Sequence, residues 1–493
     1  MAINPATFPT TTVHSEVIAT FTRSPTQATV LRAVNVDPAL VEGFVSRFPP
    51  AGTSPELRKC VTNGFRAYEI GADPACGVLL KVREDLDLET ARDYFASLIL
   101  NDIKESPAML PVEITELFEE HLLYDAHEKR AWKESGLELF RSQVEHFTSR
   151  RVPVQFALPA FPCKTTNPEK AFSALPDGAE YEALANLRSF CERVSEVYEP
   201  GCYINIVSDG HVFSDCQGTD DDVVHTYNAG LKTMLAQICS ESHSSHPGIK
   251  FYDLSQLLLP NVPASTRAAQ VPRKCVVHPV PTYTSRDDDN CRELMIAVWS
   301  PPGVYYRDLI RSQPDHPITA LYRGFSRFMF EDLAYIADYR TASKNQRKRV
   351  AESVAFTMIQ RNQTYSRMVE SVFPMHVRLS IHAHDNAGPK FAVRVMPPHI
   401  KTAKDVTTLL NAANDHGMDN DREARHTGHI PTPWHNALVE VISDDSEKRH
   451  VFLCKAKLAN DLLQYGYEGA WDAEHARGAR FVFKINSGIQ NAE

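Results

Sequence analysis

The segment from His376 to His384 holds the most distinctive group of side chains able to do chemistry. On a strand, alternate residues share a face, so its basic and hydroxyl groups lie together: His376, Arg378, Ser380, His382 and His384. Arginine can bind a phosphate or carboxylate through two hydrogen bonds, serine can donate one, and histidine exchanges protons near neutral pH. The same pattern is typical of the wet face of an antiparallel sheet. A His-x-His pair without a third ligand does not predict a metal site.

Two further loops follow predicted strands and carry charged groups. In Phe161-Pro162-Cys163-Lys164, the lysine could hold a phosphate or carboxylate or act as a base, or be an ordinary exposed loop lysine. In Ser208-Asp209-Gly210, the glycine permits a tight turn and the aspartate could take a proton or hold a substrate ammonium, or be an ordinary turn residue. Both loops therefore supply candidate site residues.

Two other segments have competing interpretations. Asp177 and Glu180 have the spacing of an N-terminal capping box, which by itself explains their types. The stiff segment 431–436, with Thr432, Trp434 and His435, follows the polar stretch Asn414 to His429. It could belong to a mobile cover over a site, or be an exposed loop with a packed tryptophan.

The elements that would position these residues follow from hydrophobic periodicity. Helical spacing is seen from Glu128 to Thr148, from Asp177 to Tyr198, and after Thr219 or Asp220. Apolar runs at 152–158, 203–207 and 249–254 predict strands between and after them. Two consecutive strand-helix-strand crossovers predict a parallel sheet, because parallel neighbours need long connections. Ligands bind such sheets at the carboxyl ends of their strands, where the two loops lie.

The remainder of the chain is less regular. Five prolines and the run Arg286 to Asp289 predict a long connection between Leu259 and Asn290. The spacing then predicts helices over His316 to Ile336 and Ser343 to Phe373. Predicted strands end the chain, at Val377 to His384, Lys390 to Met396, Ala437 to Ser443 and His450 to Lys455.

Composition excludes several classes of protein. With 493 residues, 43% of them hydrophobic and 23% charged, the chain can build a large core. Its 52 basic and 62 acidic residues give a formal net charge of -10, which disfavours nucleic acid and anionic membranes as partners. The start has no signal-peptide pattern, and ten cysteines occur without a C-x-x-C pair, so we expect a reduced cytoplasmic protein. Nucleotide-binding, zinc-peptidase and serine-hydrolase motifs are missing from the sequence.

Six motifs occur in order along the chain. They are Phe156–Lys164 (FALPAFPCK), Leu175–Glu180 (LPDGAE), Tyr198–Gly201 (YEPG), Ser208–Phe213 (SDGHVF), Arg378–His382 (RLSIH) and Thr432–Asn436 (TPWHN). Together they resemble the isocyanide (isonitrile) synthase family, also called the pyoverdine/dityrosine biosynthesis family. The resemblance covers roughly residues 128–441.

The resemblance implies a Rossmann-like α/β fold. We expect a largely parallel sheet with helices on both faces, antiparallel C-terminal strands and an N-terminal α/β extension. We expect residues 1–125 to form that extension, of uncertain role, and residues 126–493 to form the catalytic domain. The implied reaction joins the α-amine of an L-amino acid of the Tyr, Trp or Val class to ribulose 5-phosphate. One sugar carbon remains on nitrogen as an isocyanide, without metal or organic cofactor, in secondary metabolism.

This chemistry needs an anion clamp and several acid/base groups. We assign catalytic roles to Lys164, Asp209, His382 and His435, with Lys164 helping to hold an anion. Substrate-binding roles go to five residues: Arg378, Ser380, Thr432, Trp434 and Ser208. The expected partners are the two small-molecule substrates, with downstream biosynthetic enzymes as further candidates.

Two alternatives remain open. The enzyme could instead transfer a formyl group to an amino acid, as in dityrosine-type biosynthesis, or the fold could serve binding without turnover. The sequence does not determine which amino acid is used or the oligomeric state.

Overall fold

The computed structural model describes four strands within the first 109 residues and most of the chain from residue 110 to residue 485. The described ranges are 17–23, 28–31, 65–69, 77–81, 110–124, 130–241, 248–258, 270–273, 282–301, 306–382, 386–413, 430–443 and 449–485.

Four strands form an antiparallel sheet near the N-terminus. They are β1 (Val17–Arg23), β2 (Ala28–Leu31), β3 (Phe65–Glu69) and β4 (Gly77–Lys81), in the order β2-β1-β4-β3. This sheet lies within the predicted N-terminal extension. The boundary at residue 125 stays a prediction.

The central sheet begins after two helical segments. Helix α1 (Leu110–His121) is followed by a π-helical turn (Trp132–Gly136) that continues into α2 (Leu137–Thr148). The chain then alternates between strands and helices: β5 (Val154–Pro159), α3 (Gly178–Val197), β6 (Cys202–Val207), α4 (Gly210–Gln217), α5 (Asp221–Glu241) and β7 (Ile249–Tyr252). The pairs β5–β6 and β6–β7 are parallel, which confirms the two predicted crossovers.

The capping box at the start of α3 is present as predicted. The Asp177 carboxylate accepts the backbone N–H of Ala179 at 2.8 Å, and the Glu180 carboxylate accepts the backbone N–H of Asp177 at 3.0 Å. These bonds satisfy two donors that the first helical turn would otherwise leave unpaired.

The segment predicted to be a long connection contains more structure than expected. It includes α6 (Leu254–Leu258), β8 (Gln270–Arg273) and β9 (Thr282–Ser285), and β8 pairs with β9 in antiparallel fashion. The run of acidic residues after Arg286 begins a helix, α7 (Arg286–Trp299), so the prediction of irregular structure there is wrong. Ser285 caps this helix and three aspartates fill its first turn, where negative charge is stabilising.

A helical region follows. It consists of α8 (Tyr306–Ser312), α9 (Pro317–Asp332), a 3-10 turn (Ala337–Tyr339) and α10 (Lys344–Val372). Helices α9 and α10 match the two predicted helices, and the Ser343 side chain caps α10.

The next two strands return to the central sheet. They are β10 (Val377–Ser380) and β11 (Lys390–Ala392), and the sheet order is β11-β10-β5-β6-β7 with every pairing parallel. The alternative of a wet antiparallel face at Arg378 is therefore wrong, because β10 is an interior strand of a parallel sheet. The strand is also shorter than predicted, and residues 383–385 lie outside the described residues.

A second, mixed sheet ends the described chain. After β12 (Lys401–Thr402), α11 (Val406–Ala413) and a 3-10 turn (Pro433–His435) come β13 (Ala437–Ser443), β14 (Arg449–Cys454), α12 (Ala456–Gln464), β15 (Glu468–Asp472) and β16 (Arg480–Ile485). The order is β12-β14-β13-β16-β15. Strands β13 and β14 are antiparallel, as predicted, whereas β13 and β16 are parallel.

Helices cover both faces of the central sheet. Phe118, Phe140 and Phe190 of α1, α2 and α3 pack in one buried core with Phe156 of β5. Helices α7 and α10 form a second core with Ala157 and Val207, which point to the opposite face. Within the described ranges, no helix combines the length and apolar character that a bilayer crossing requires.

Candidate active site

Three neighbouring parallel strands bring the predicted loops to one edge of the central sheet. Strands β10, β5 and β6 lie side by side, so the segments that follow them share the carboxyl edge. These segments carry His382, Lys164 and Asp209, while Arg378 and Ser380 lie on β10 itself. The sheet topology thus places most of the predicted site residues at the edge where such sheets bind ligands.

Arg378 is the least satisfied of these groups. Its side chain lies on the face covered by α10 and is only 9% exposed. Nη1 lies 3.5 Å from the carbonyl oxygen of Ala157 and 3.4 Å from that of Leu379, both long for hydrogen bonds, and Nε has no hydrogen-bond partner among the described residues. Across the described ranges, no carboxylate lies within 4.0 Å of this guanidinium. Burial lowers the pKa of Arg378, but a guanidinium stays protonated.

Asp209 is a neighbour of Arg378 at the end of β6. The side chain is partly exposed, yet Oδ1 is buried and has no hydrogen-bond partner among the described residues. Burial raises the pKa of Asp209 to about 7, opposed by a hydrogen bond to its own backbone and by the positive charge of Arg378. The adjacent Ser208 Oγ donates to the carbonyl oxygen of Phe161 at 3.0 Å, which ties the two loops together.

Tyr365 of α10 completes this group and was missed from the sequence. Its hydroxyl donates to the carbonyl oxygen of Val207 at 2.8 Å, and its ring is buried. Burial raises the pKa of Tyr365 well above its usual value, and the negative charge of Asp209 adds to this rise. Nothing in the helical pattern of α10 distinguishes Tyr365 from a core residue, because its role depends on contact with a distant strand.

Lys164 has a different environment from the one predicted. It is fully buried, and its ammonium contacts Asp177 Oδ2 at 2.9 Å, Glu180 Oε2 at 2.8 Å and the carbonyl oxygen of Pro433 at 2.9 Å. The ammonium donates to Glu180 and to Pro433 and forms an ion pair with Asp177, so Lys164 lies in a buried ion cluster and not on an open loop. Burial would lower the pKa of Lys164, but the two carboxylates outweigh it and raise that pKa.

The carboxylates of the capping box therefore have a second role. Burial raises the pKa of Glu180, opposed mainly by the charge of Lys164. The Tyr227 hydroxyl also donates to Glu180, at 3.0 Å. Two carboxylates face one ammonium, so an additional proton on Glu180 would balance the charge.

The segment 432–436 packs against the loop that carries Lys164. Trp434 is 1% exposed, its ring centroid lies 5.0 Å from that of Phe161, and its carbonyl oxygen accepts the backbone N–H of Thr165 at 2.9 Å. Thr432 is also buried, whereas His435 is partly exposed and lies against the Phe328 ring at 4.9 Å. Trp434 is thus part of the buried core. The predicted cover, Asn414 to His429, lies outside the described residues.

Phe161 itself adopts an unusual backbone conformation. Its φ of 57° lies in the left-handed region, which is costly for a residue with a side chain. The ring is fully buried against Trp434, which holds the backbone in place. Gly210 cannot be replaced by a residue with a side chain without a clash, because a Cβ there would lie 2.1 Å from the carbonyl oxygen of Pro162. Close approach of the two loops, and not a tight turn, requires this glycine.

Ser380 and His382 lie at the end of β10. The Ser380 hydroxyl accepts the backbone N–H of His382 at 3.2 Å, and the His382 side chain is partly exposed. Arg378, Asp209 and Tyr365 therefore form one group with Ser208, Ser380 and His382 on the adjoining segments, while Lys164 and Trp434 form a second, buried group.

A third group of polar side chains was not predicted. His211 of α4, His225 of α5 and Asp288 of α7 place their ligand atoms within 4.8 Å of one another. His211 follows Asp209 by two residues, but the three members come from separate helices. Sequence spacing therefore gave no signal for this cluster.

Comparison with known proteins agrees with this architecture. A family model described as pyoverdine/dityrosine biosynthesis protein matches residues 144–463. The chain is 33% identical over 405 residues to the spore wall maturation protein DIT1 of Saccharomyces cerevisiae, covering 80% of this chain and 73% of that protein. It is 31% identical over 255 residues to the L-tyrosine isonitrile synthase of Xenorhabdus nematophila, covering 52% and 67% respectively. The crystal structure of PvcA from Pseudomonas aeruginosa is similar, with a TM-score of 0.53 and 22% identity, covering 76% of this chain and 99% of that chain. The likeness to PvcA confirms the predicted α/β fold.

Proposed function

Because the chain belongs to the pyoverdine/dityrosine biosynthesis family, we propose that it is an isocyanide synthase. The α-amino group of an L-amino acid of the Tyr, Trp or Val class becomes an isocyanide, with ribulose 5-phosphate as carbon donor. Relatives named isonitrile synthases support the general activity. The amino acid class and the carbon donor are parts of the proposal.

The observation that carries the proposal is the environment of Arg378. A buried guanidinium with long contacts to two carbonyl oxygens, and no carboxylate within 4.0 Å in the described part of the chain, is suited to bind an anion. Arg378 lies on β10 two residues before the carboxyl end of the strand, and α/β folds bind phosphates and carboxylates at that edge. We assign to Arg378 the phosphate of the sugar or the carboxylate of the amino acid. We also assign hydrogen bonds to the substrates to Ser208, Ser380 and Thr432.

Proton transfers accompany each step of the proposed reaction. The amine loses a proton before it attacks the ketone, the resulting carbinolamine loses water, and a carbon next to the imine loses a proton before phosphate leaves. Asp209 lies beside Arg378, and His382 and His435 are partly exposed, so we assign proton transfer to these three groups. Lys164 supports them by position, through the loop it fixes to the segment 432–436.

The experiment is product analysis with purified protein, ribulose 5-phosphate and a panel containing Tyr, Trp and Val. We expect at least one amino acid to gain one carbon and lose two hydrogens, only when ribulose 5-phosphate is present. Arg378→Met should abolish this product, while Arg311→Met, at an exposed position, serves as the matched control. If no panel member is converted, the assignment of enzymatic activity fails and a binding protein becomes the better description.

A second candidate is an amino-acid N-formylating enzyme. One observation favours it: the match to the spore wall maturation protein extends over 405 residues, compared with 255 for the tyrosine isonitrile synthase. The same incubation separates the two candidates, because a formyl amide retains oxygen that an isocyanide lacks. Mass spectrometry of the product therefore decides between them.

We also propose that the chemistry needs no metal and no organic cofactor. Arg378, Asp209 and the histidines supply the anion contact and proton transfers that the reaction requires. We expect protein freed of metal to retain turnover under conditions where it stays folded. Loss of turnover that returns with one added metal would contradict this part of the proposal.

A further inference from the structure

The cluster of His211, His225 and Asp288 joins three helices. His211 lies in the first turn of α4, His225 lies on α5 and Asp288 lies in the first turn of α7. The His225 Nε2 atom is 2.8 Å from Asp288 Oδ2, and the His211 Nε2 atom is 3.9 Å from the same oxygen. The two imidazole rings lie 4.4 Å apart, centroid to centroid.

Several atoms in this cluster lack hydrogen-bond partners. His211 is fully buried, and neither of its ring nitrogens has a partner among the described residues. Asp288 is also fully buried, and its Oδ1 atom has none. Buried polar atoms are normally hydrogen-bonded, since an unpaired one has lost its contact with water without replacement. An imidazole with both nitrogens unpaired needs an explanation.

Other groups around the cluster fix the carboxylate and balance the charge. The Ser285 hydroxyl donates to Asp288 Oδ2 at 2.5 Å, and the Arg292 guanidinium donates to the backbone carbonyl of His211. Arg292 also pairs with Asp221 at 3.0 Å, which compensates that neighbouring carboxylate. Among the described residues, the basic groups within 4.0 Å of the Asp288 carboxylate are thus the two imidazoles.

We propose that His211, His225 and Asp288 bind a divalent transition-metal ion, with Zn²⁺ as the reference ion. Two imidazoles and one carboxylate form a donor set common to zinc and non-haem iron sites. The Ser285 hydroxyl acts as the outer partner that orients the ligating carboxylate. The ligand atoms lie within 4.8 Å of one another, close enough to converge on one ion after small side-chain movements.

A bound ion would stabilise the folded protein, since it cross-links α4, α5 and α7. Helix α4 begins directly after Asp209, so the same link fixes the end of the loop that carries this residue. A ligand that binds only the folded state raises the melting temperature. The change in melting temperature is measured without any substrate, so it tests the metal site separately from isocyanide formation.

The test uses full-length protein without a histidine tag. We expect dialysed protein to bind about one equivalent of Zn²⁺ by metal analysis, and Co²⁺ to give a visible absorption spectrum of bound ion. The melting temperature should rise with Zn²⁺ and fall with EDTA. Asp288→Asn and His225→Ala should each weaken Zn²⁺ binding by about a hundredfold or more. Mutating a residue that only hydrogen-bonds to a metal ligand already costs about tenfold to a hundredfold in affinity. His225 is partly exposed, so its replacement by alanine should leave the fold intact.

His376→Gln is the matched control, because this buried histidine lies outside the cluster. It should bind Zn²⁺ like the unaltered protein. No uptake of Zn²⁺ at micromolar concentration, or equal uptake by the His225→Ala variant, would overturn the proposal. A buried water or an ion pair between His225 and Asp288 would then account for the cluster.

Discussion

Replacing Lys164 with methionine should destabilise the protein strongly, although methionine preserves much of the length of the side chain. Lys164, Asp177 and Glu180 are each at most 1% exposed, so the variant leaves two buried carboxylates without a counter-charge. Removing one partner of a buried ion pair costs about 3–5 kcal/mol. The carbonyl oxygen of Pro433 loses its donor as well. We therefore expect a decrease in the free energy of unfolding of about 3–5 kcal/mol.

Urea unfolding followed by intrinsic fluorescence measures this decrease. The double variant Lys164→Met/Glu180→Gln should recover part of the loss, because one of the two stranded charges is removed. Lys170→Met is the control: this lysine also pairs with two carboxylates, at 2.8 and 3.1 Å, but their side chains are 16% and 38% exposed. Its loss should cost less than that of Lys164, because the two carboxylates it leaves behind remain in contact with water. If Lys164→Met unfolds at the same urea concentration as the unaltered protein, the ion cluster does not stabilise the fold.

Three further predictions follow from other residues. Arg378→Met should lower turnover at least about a hundredfold with no loss of melting temperature. Leu379→Ala opens a cavity at a fully buried position and should cost about 2–5 kcal/mol of stability. The reverse pattern would mean that the faces of β10 are misassigned. Burial, aided by the charge of Lys250, lowers the pKa of His376 to about 3. Below pH 6.5 the unfolded chain binds a proton at this histidine that the folded protein does not, so the free energy of unfolding falls by up to about 1.4 kcal/mol for each unit by which the pH is lowered. His376→Gln should remove this part of the pH dependence in urea titrations between about pH 4.5 and 6.5. Gly210→Ala should lower the melting temperature, since its Cβ would meet the carbonyl oxygen of Pro162, and an unchanged melting temperature would show that the loops can separate freely.

Features encoded locally could be predicted from the sequence. The capping box at Asp177 and Glu180 needs only four consecutive residues, and the structure contains it. The parallel order of β5, β6 and β7 followed from the lengths of the helices between them. Arg378 was placed on a polar face by simple alternation, and the structure puts Val377 and Leu379 in the opposite core.

Features that depend on distant contacts could not be predicted in this way. The position of β10 between β5 and β11 depends on pairing that no local pattern expresses, so its polar face appeared exposed. The partners of Lys164 include the carbonyl oxygen of Pro433, 269 residues further along the chain. The acidic residues after Arg286 resembled a loop because their helix-stabilising role requires the cap at Ser285 and the packing of α7.

The interior position of β10 has a consequence for biosynthesis. Arg378 of β10 contacts Ala157 of β5, although 221 residues separate them in the chain. A ribosome makes β5, β6 and β7 first, so β5 is an open edge strand until β10 has been translated. Exposed apolar edges pair readily with other chains. The edge of β5 therefore closes only after β10 has been synthesised and has paired with it.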